Sequence, residues 1–515
     1  MKRKSCILSG DIGTTTVKAA LFDANLRLIA DTSYALKTWF QPEIPGSTVQ
    51  NPAQWVQGFI KCVDDLYKKA PDRFSDIAVL SLTGQMEDLI AVDKEGKLVY
   101  DALLYSDSRA NEEADIIIEN FGMKRLFEIT ANEFNVFNSC AKILWLKRQM
   151  QETFSRTQCF MFGSKDYINF WLTGKNYTDY TNASTTGLYN IEHRVWESEI
   201  IDYLNIPESS LPAIDKAGRV IGEVKEELLP VLHLMRGIPV LNGMGDAASA
   251  TLGAGVHQEK EAYIYGGTTG WVALLGTQRK ALPIYNLHNH DGTHYINVSP
   301  ILNVCNAIDW GIKTFYLKDS SERIDYNKVD DLIARKNRFT GIIFLPYLSG
   351  ERSPFHDEAA RGTIFGLTLN TKKEDILKAI FEGVAFSFYH NILTLQIPDK
   401  TTIPITGGIS QFASFCQILA HISGIAIEKL EKEYSSPLFG TAILAGHYLN
   451  LTSTKDISCD RRVEKRYYPE ESATGLYSRL FKIYKTLYPD LKKKFEKLSK
   501  LISGVFIILD SPTYT

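Results

Sequence analysis

The fold is decided near the start of the chain by the stretch CILSGDIGTTTVKAALFD, residues 6–23. A short apolar run, residues 6–10, leads into a turn-rich segment, and residues 17–23 then alternate like a second strand. This order predicts a β-hairpin whose turn carries Asp11, one glycine and three threonines.

A helix and a further strand follow the hairpin. Asn51 is a good N-cap and Pro52 suits the first helical position, so we predict a helix from there to about Lys69. Four apolar residues fall on one face of this helix: Trp55, Phe59, Val63 and Leu66. Residues 76–83 then read as a buried strand, and the alternation of strands and helices predicts an α/β domain.

The turn of the first hairpin has the residues that bind phosphate. Gly13 allows an anion to approach the backbone closely, and the hydroxyl groups of Thr14 and Thr15 add donors to the backbone N–H groups. Asp11 is placed to hold Mg²⁺, directly or through water. The alternative is an ordinary hairpin in which aspartate and threonine serve as turn formers.

Two further glycine clusters repeat this pattern. Residues 266–270, GGTTG, follow a predicted strand, and residues 404–410, PITGGIS, lie between an apolar run and a helix predicted from Phe412. Each cluster alone could be a structural turn, but three of them, each after a strand, favour nucleotide binding. The P-loop pattern G-x-x-x-x-G-K-[ST] and a G-x-G-x-x-G after the first strand are both missing, so neither a P-loop NTPase nor a Rossmann dehydrogenase fits.

The bulk composition predicts a cytoplasmic protein of two large domains. A chain of 515 residues is too long for one core, and we predict domains at 1–250 and 251–500 and a tail of unassigned role at 501–515. The net charge of −3 gives no electrostatic argument for nucleic acid or an anionic membrane, and no apolar stretch is long enough to span a bilayer. Seven scattered cysteines without a CxxC pair fit reduced thiols.

Three segments of the second half carry a family resemblance. They read FLPYLSGERSPFHDEAARGTIFGL at 344–367, IFEGVAF at 380–386 and GTAILAG at 440–446. In this combination the chain resembles the FGGY carbohydrate kinases from Asp11 to about Leu498. The resemblance implies an α/β fold of two actin/hexokinase-like (ribonuclease H-like) ATPase domains flanking a catalytic cleft. It also implies ATP and Mg²⁺ as cofactors, and a small-molecule sugar as the partner of ATP.

The resemblance also implies roles for single residues. Asp246, in the segment GMGDAA at 243–248, matches the aspartate that removes a proton from the attacking hydroxyl, although an N-cap of the following helix is the alternative for this residue alone. The implied nucleotide contacts are Thr14, Thr15, Gly267, Thr268, Thr269, Asn306, Asp309, Gly407 and Gly408.

The nearest resemblance within the family is to xylulokinases. The segments TGQMEDLI at 83–90 and LYSDSR at 104–109 are similar to theirs, which implies sugar contacts from Gln85, Met86, Glu87, Asp107 and Asp246. Glu87 stands where the family has a sugar-contacting histidine, and Asp88 replaces a glycine.

We therefore predict ATP-dependent phosphorylation of a small neutral sugar, with a ketopentose such as xylulose as the first choice. A kinase for glycerol, ribulose or gluconate is the alternative, and a non-catalytic actin-like ATPase or a sugar sensor is an alternative of another class. No nucleic acid or membrane partner is expected, and a homodimer remains open.

Charge favours a neutral substrate. Glu87, Asp88 and Asp107 bring carboxylates to the sugar segments, and ionised carboxylates accept hydrogen bonds from sugar hydroxyls. An aldonate would add its own negative charge, and two unit charges ~4 Å apart at an effective dielectric constant of ~20 repel by about 4 kcal/mol. Arg109 would offset this repulsion if its side chain turns inward.

The role of Asp246 can be tested by one substitution. We expect Asp246→Asn to keep binding sugar and ATP but to lower kcat by about 100-fold or more, because a general base contributes about 10²–10⁴-fold. Single-turnover kinetics measure the chemical step directly, and an unchanged kcat would remove Asp246 from the mechanism.

Overall fold

The computed structural model describes residues 5–317, 319, 323–336, 340–398, 401–431, 437–451 and 462–509, with side chains up to Leu501. Of the predicted tail, residues 502–509 continue the last helix and residues 510–515 lie outside the described residues. No helix in the described part of the chain is long and apolar enough to cross a membrane.

The elements are numbered in chain order. The strands are β1 (Cys6–Ile12), β2 (Thr16–Phe22), β3 (Leu28–Ala35), β4 (Val49–Gln50), β5 (Ile77–Gly84), β6 (Met86–Val92), β7 (Ala102–Leu103), β8 (Cys159–Gly163), β9 (Tyr177–Asp179), β10 (Tyr189–Asn190), β11 (Val195–Trp196), β12 (Ala213–Asp215), β13 (Val220–Glu223), β14 (Pro239–Leu241), β15 (Met244–Gly245), β16 (Ala262–Gly266), β17 (Gly270–Gly276), β18 (Tyr285–His288), β19 (Tyr295–Ile301), β20 (Ile343–Leu345), β21 (Thr363–Phe365), β22 (Ile403–Thr406), β23 (Ile427–Leu430) and β24 (Val463–Tyr467). The helices are α1 (Pro52–Lys69), α2 (Pro71–Phe74), α3 (Asn111–Phe121), α4 (Met123–Thr130), α5 (Ser139–Gln149), α6 (Gln151–Arg156), α7 (Ser164–Thr173), α8 (Tyr180–Ala183), α9 (Ser198–Leu204), α10 (Asp246–Gly253), α11 (Cys305–Gly311), α12 (Tyr326–Arg335), α13 (Lys373–Leu395), α14 (Ala413–Ser423), α15 (Pro437–Tyr448) and α16 (Glu471–Leu509).

The chain forms two compact units that do not follow the sequence order strictly. The first comprises residues 1–259, 275–297 and 432–461, and the second comprises the remaining segments. The domains predicted from the sequence, 1–250 and 251–500, therefore differ from these units in three segments: 251–259, 275–297 and 432–461. The last of these contains α15, an almost wholly apolar helix that packs on α10, β1 and β5 of the first unit.

The first unit is built around the predicted hairpin. Its main sheet has the order β13-β14-β5-β1-β2-β3, with β15 also paired to β5. β1 is antiparallel to β2 and parallel to β5, and every residue of β1 is buried. The predicted helix is confirmed as α1, because the Asn51 side chain accepts the N–H of Ala53 at 2.9 Å and the four predicted apolar residues are buried.

Register brings three strand ends to one edge of this sheet. On β5, Thr83 lies opposite Asp11 of β1 and opposite Met244 of β15. Parallel neighbours end on the same side, so the residues that follow these strands meet there. That edge therefore gathers the turn after β1, the start of β6 and the start of α10.

The second unit repeats the arrangement. Its main sheet contains the strand order β19-β17-β16-β22-β23-β24, in which β16 and β17 form an antiparallel hairpin and β22 runs parallel to β16. The pairing of Tyr265 with Thr406 places the second and third glycine clusters side by side. Helix α13 is buried along most of its length and packs on α14 and β20.

The close approach of the two glycine clusters can be tested at Gly407. Its φ is +84°, and a Cβ atom there would lie 2.5 Å from the carbonyl oxygen of Gly266. We expect Gly407→Ala to lower the free energy of unfolding by about 2–5 kcal/mol, combining left-handed strain with overpacking. Gly424→Ala is the matched control, since Gly424 has φ +70° but its Cβ would meet only Thr474 at 3.4 Å. Equal losses in urea unfolding of both variants would contradict the packing argument.

Candidate active site

Asp246 is the first residue of α10, and close packing fixes the turn before it. Gly243 has φ +72°, and a Cβ there would lie 2.1 Å from the carbonyl oxygen of Leu82. A Cβ on Gly245 would lie 2.5 Å from the sulfur of Met86. Both glycines are needed because the turn runs directly over β5 and the start of β6.

The Asp246 carboxylate is partly buried and lies near a second carboxylate. Burial raises the pKa of Asp246 to about 7, the charge of Asp11 raises it further, and the N–H of Ala247 opposes the shift. Burial also raises the pKa of Asp11 to about 6, although Lys18, 4.0 Å away, lowers it. The edge therefore holds two carboxylates that are costly to ionise without a cation or a hydrogen-bond donor.

A buried charge cluster that the sequence analysis did not identify supports the Asp246 turn. The Asp179 carboxylate accepts the N–H of Gly245 at 3.3 Å and also caps α8. Lys165 lies 3.0 Å from Asp179 and forms a second ion pair with Asp166. All three side chains are buried. The only local signal is an aspartate at a helix start, which does not reveal its contact with residue 245.

The predicted first phosphate loop is linked to the predicted sugar segment by hydrogen bonds. The hairpin turn is closed by the N–H of Gly13, which donates to the carbonyl of Thr16 at 3.0 Å. The hydroxyl of Thr14 donates to Oε1 of Gln85 at 2.7 Å, and Gln50 donates to the carbonyl of Thr14 at 2.6 Å. Gln85 and Thr14, predicted for different ligands, thus contact each other, while the neighbouring Thr15 is exposed.

Asp107 is not a free acceptor in the sugar segment. Its carboxylate forms a buried ion pair with Arg109, with Nη2 and Oδ2 2.8 Å apart, and accepts the N–H of Thr48 at 2.6 Å. The guanidinium of Arg109 also stacks on Trp145, 4.7 Å from the ring centre. Arg109 therefore turns inward, and the predicted repulsion of an acidic substrate by Asp107 is offset.

Glu87 and Asp88 lie in contrasting surroundings. Glu87 is partly buried and its Oε1 accepts a hydrogen bond from Asn138 at 3.0 Å. Asp88 is fully buried, and burial holds the pKa of its carboxyl well above the ordinary value, with Asp246 and Glu87 adding to the shift. The carboxyl of Asp88 therefore lies within electrostatic range of both Asp246 and Glu87. Lys142, which the sequence analysis did not identify, lies beneath them and is fully buried.

The second unit gathers the remaining predicted nucleotide contacts. The loop Gly267–Thr269 lies against the start of α11, where the N–H of Cys305 donates to the carbonyl of Gly267 at 3.0 Å. Oδ1 of Asn306, within the first turn of α11, accepts the N–H of Val304 at 2.8 Å and that of Ala307 at 2.9 Å. Asp309 accepts the hydroxyl of Tyr326 at 3.2 Å.

The third glycine cluster adjoins this loop. Gly407 packs on the carbonyl of Gly266, and Gly408 approaches the sulfur of Cys305, with a Cβ there 3.8 Å from it. Gly408 opens a short 3-10 turn, and the α-helix predicted from Phe412 begins one residue later. Backbone rather than side chains dominates this part of the second unit.

The described residues do not form a metal site with three or more protein side chains. In the described residues no group of three histidine, cysteine, aspartate or glutamate side chains could hold a metal ion. Asp11 and Asp246 offer only two carboxylates, which suits a cation that takes its other ligands from water or phosphate oxygens.

Both units match models of one protein family. Residues 6–253 match the N-terminal domain and residues 262–449 the C-terminal domain of the FGGY family of carbohydrate kinases. Fold and family together define the class as a sugar kinase that uses ATP as phosphoryl donor, with the actin/hexokinase-like ATPase fold. The chain belongs to the FGGY family of carbohydrate kinases, which confirms the resemblance, fold class and enzyme class predicted from the sequence.

Similar proteins include xylulose kinases. That of Staphylococcus epidermidis is 28% identical over 95% of this chain and 98% of its own length. The crystal structure of ligand-bound xylulose kinase from Lactobacillus acidophilus has a TM-score of 0.87 at 26% identity, covering 96% of this chain and 99% of that one. Gluconate kinase from Lactobacillus acidophilus also has a TM-score of 0.87, at 27% identity and the same coverage.

The raised pKa of Asp246 predicts a pH-dependent cost in stability. Because the folded-state pKa of about 7 exceeds the ordinary value of 3.8, ionisation of Asp246 destabilises the folded protein as pH rises through this interval. We expect Asp246→Asn, without nucleotide or Mg²⁺, to raise the free energy of unfolding at pH 8 by up to about 4 kcal/mol and to change it little at pH 4. Urea unfolding at both pH values measures this, and a pH-independent difference would contradict it.

Proposed function

We propose that this chain transfers the γ-phosphoryl group of ATP to a hydroxyl of a small neutral sugar, with a ketopentose such as xylulose as preferred acceptor. The observation that carries the proposal is Asp246, a partly buried carboxylate whose pKa is raised to about 7 beside Asp11 and the Gln85–Asp88 segment. A base with a pKa near the working pH is the most effective proton acceptor. The Staphylococcus and Lactobacillus xylulose kinases support the choice of acceptor.

The residues of the first unit would then have the following roles in the reaction. Asp246 accepts the proton of the attacking hydroxyl, while Met86 and Glu87 contact the sugar. Asp11 would hold Mg²⁺, directly or through water, and its raised pKa fits this role because a cation relieves the cost of ionising it. When bound, Mg²⁺ neutralises charge on the transferred phosphoryl group.

The proposed nucleotide contacts are loop residues, described separately for each unit. Thr14 and Thr15 offer hydroxyl and backbone donors in the first unit. In the second unit, the loop Gly267–Thr269 and the pair Gly407–Gly408 allow phosphate and adenosine to approach the backbone closely. Use of ATP as donor fits the cytoplasmic location predicted from the sequence.

A sugar acid such as gluconate is the second candidate acceptor. Arg109 neutralises Asp107, and Lys142 lies beside Glu87 and Asp88, so the pocket holds two cations next to its three carboxylates. Similarity to a gluconate kinase of known structure supports this alternative. Glu87 and Asp246 remain carboxylates among the proposed sugar contacts, which still favours a neutral acceptor.

A comparison of acceptors tests the proposal. Steady-state kcat/KM should be measured for xylulose, ribulose, glycerol and gluconate with wild type and with Glu87→His. We expect xylulose or ribulose to exceed gluconate by about 5-fold or more, because a like charge within the pocket costs at least about 1 kcal/mol even in water. Glu87→His should change the ranking of the neutral sugars, because a hydrogen-bond acceptor becomes a donor.

The matched control is Glu95→His. Glu95 is an exposed glutamate in the turn after β6, the same strand that begins with Met86 and Glu87, so its replacement should leave the ranking unchanged. Gluconate as best substrate would overturn the neutral-sugar proposal. An unchanged ranking in Glu87→His would show that residue 87 does not contact the sugar, and ATP consumption that no sugar stimulates would overturn the kinase proposal itself.

A further inference from the structure

Glu87 is held in a backbone conformation that side-chain-bearing residues rarely adopt. Its φ is +62°, in the left-handed region, although it lies within β6 directly after Met86. Glutamate has no special tolerance for this region, unlike glycine or asparagine. Such a strained residue persists only where the surrounding structure fixes it.

Lys142 fixes the main chain of Glu87. Its ammonium group donates to the carbonyl oxygen of Glu87 at 2.8 Å and to that of Leu104 at 2.7 Å. The side chain is fully buried, and burial lowers its pKa, whereas the charges of Glu87, Asp88 and Asp107 oppose that shift. Burial of a charged lysine costs free energy, so favourable contacts such as these two hydrogen bonds must compensate for it.

Asn138 fixes the side chain of the same residue. Its amide nitrogen donates to Oε1 of Glu87 at 3.0 Å and to the carbonyl of Thr185 at 2.9 Å. The backbone N–H of Asn135 donates to Oδ1 of Asn138 at 2.9 Å, which sets the orientation of the Asn138 amide. Glu87 and Asn138 line the same cavity. Asn138 directly precedes α5, and Lys142 lies in the first turns of that helix. The N-terminal end of α5 therefore holds both the main chain and the side chain of Glu87.

We infer that Lys142 is a positioning residue that keeps Glu87 in its left-handed conformation and thereby determines which sugar the protein accepts. The inference rests on the proposed function, since that proposal places Glu87 at the sugar. Return of residue 87 to an ordinary strand conformation would turn its side chain away from Asn138, because successive strand residues face opposite sides. The Glu87 carboxylate held in this way would bind a hydroxyl group of the sugar, because an ionised carboxylate can only accept hydrogen bonds.

A double-mutant cycle tests the inference. Kinetics with xylulose and ribulose are compared for wild type, Lys142→Met, Glu87→Gly and the double variant. We expect Lys142→Met to raise the sugar KM about 10-fold and to leave the ATP KM within about two-fold, as coupled neighbours do. In the Glu87→Gly background the same change should alter the sugar KM by less than about three-fold, because glycine adopts positive φ without strain and has no side chain to hold.

Lys147→Met is the matched control for loss of a lysine from α5. The Lys147 ammonium also donates to a backbone carbonyl, but to that of Leu204, at 2.6 Å. This variant should lower the unfolding midpoint without raising the sugar KM. An equal rise in sugar KM in Lys147→Met, or equal effects of Lys142→Met in both backgrounds, would overturn the inference.

A second variant covers the case in which Lys142→Met does not fold. Asn138→Ala should raise the sugar KM in the wild-type background and leave it unchanged with Glu87→Gly, and a rise of the same size in both would count against the inference. A wild-type protein that phosphorylates no sugar overturns the proposed function and, with it, this inference. Additive effects in an active enzyme overturn only the role of Lys142.

Discussion

Parallel pairing of β5 with β1 on one side and with β14 and β15 on the other is the constraint on which the first unit depends. It brings Asp11 and Asp246, far apart in the chain, to one edge of the sheet. The strands and turns there approach so closely that Gly84, Gly243 and Gly245 have no room for a side chain. The position of the proposed base therefore follows from backbone packing rather than from contacts of its own side chain.

Gathering carboxylates at a partly buried edge has an electrostatic cost, and the first unit offsets it with buried cations. Lys165 pairs with Asp179 behind the Asp246 turn, and Arg109 pairs with Asp107 in the predicted sugar segment. Asp246 is left with a raised pKa, which suits a proton acceptor. In the second unit the glycine clusters lie where β16 and β22 end side by side, and residues 266–270 and 407–410 carry no charged side chain.

Local sequence patterns were sufficient for much of the fold. The hairpin at residues 6–23, the helix with its Asn51 cap and the helix that begins at Asp246 all depend on contacts between near neighbours in the chain, and each is found as predicted. The family motifs identified the α/β kinase fold, which the comparisons confirm. The roles of the individual site residues stay predictions.

Tertiary structure alone decided how these residues are used. The sequence determined that residues 83–109 carry carboxylates, an arginine and a glutamate in place of histidine. It could not determine that Arg109 neutralises Asp107, that Glu87 has a positive φ, or that Lys142 lies beneath it. It also could not assign α15 to the first unit. Asp107 and Arg109 are only two residues apart, but Arg109 is held inward by Trp145 and Gln41, and the other features likewise depend on contacts between segments distant in the chain. Local residue patterns encode backbone preference and burial but not the partner that a buried charge or an apolar helix will meet.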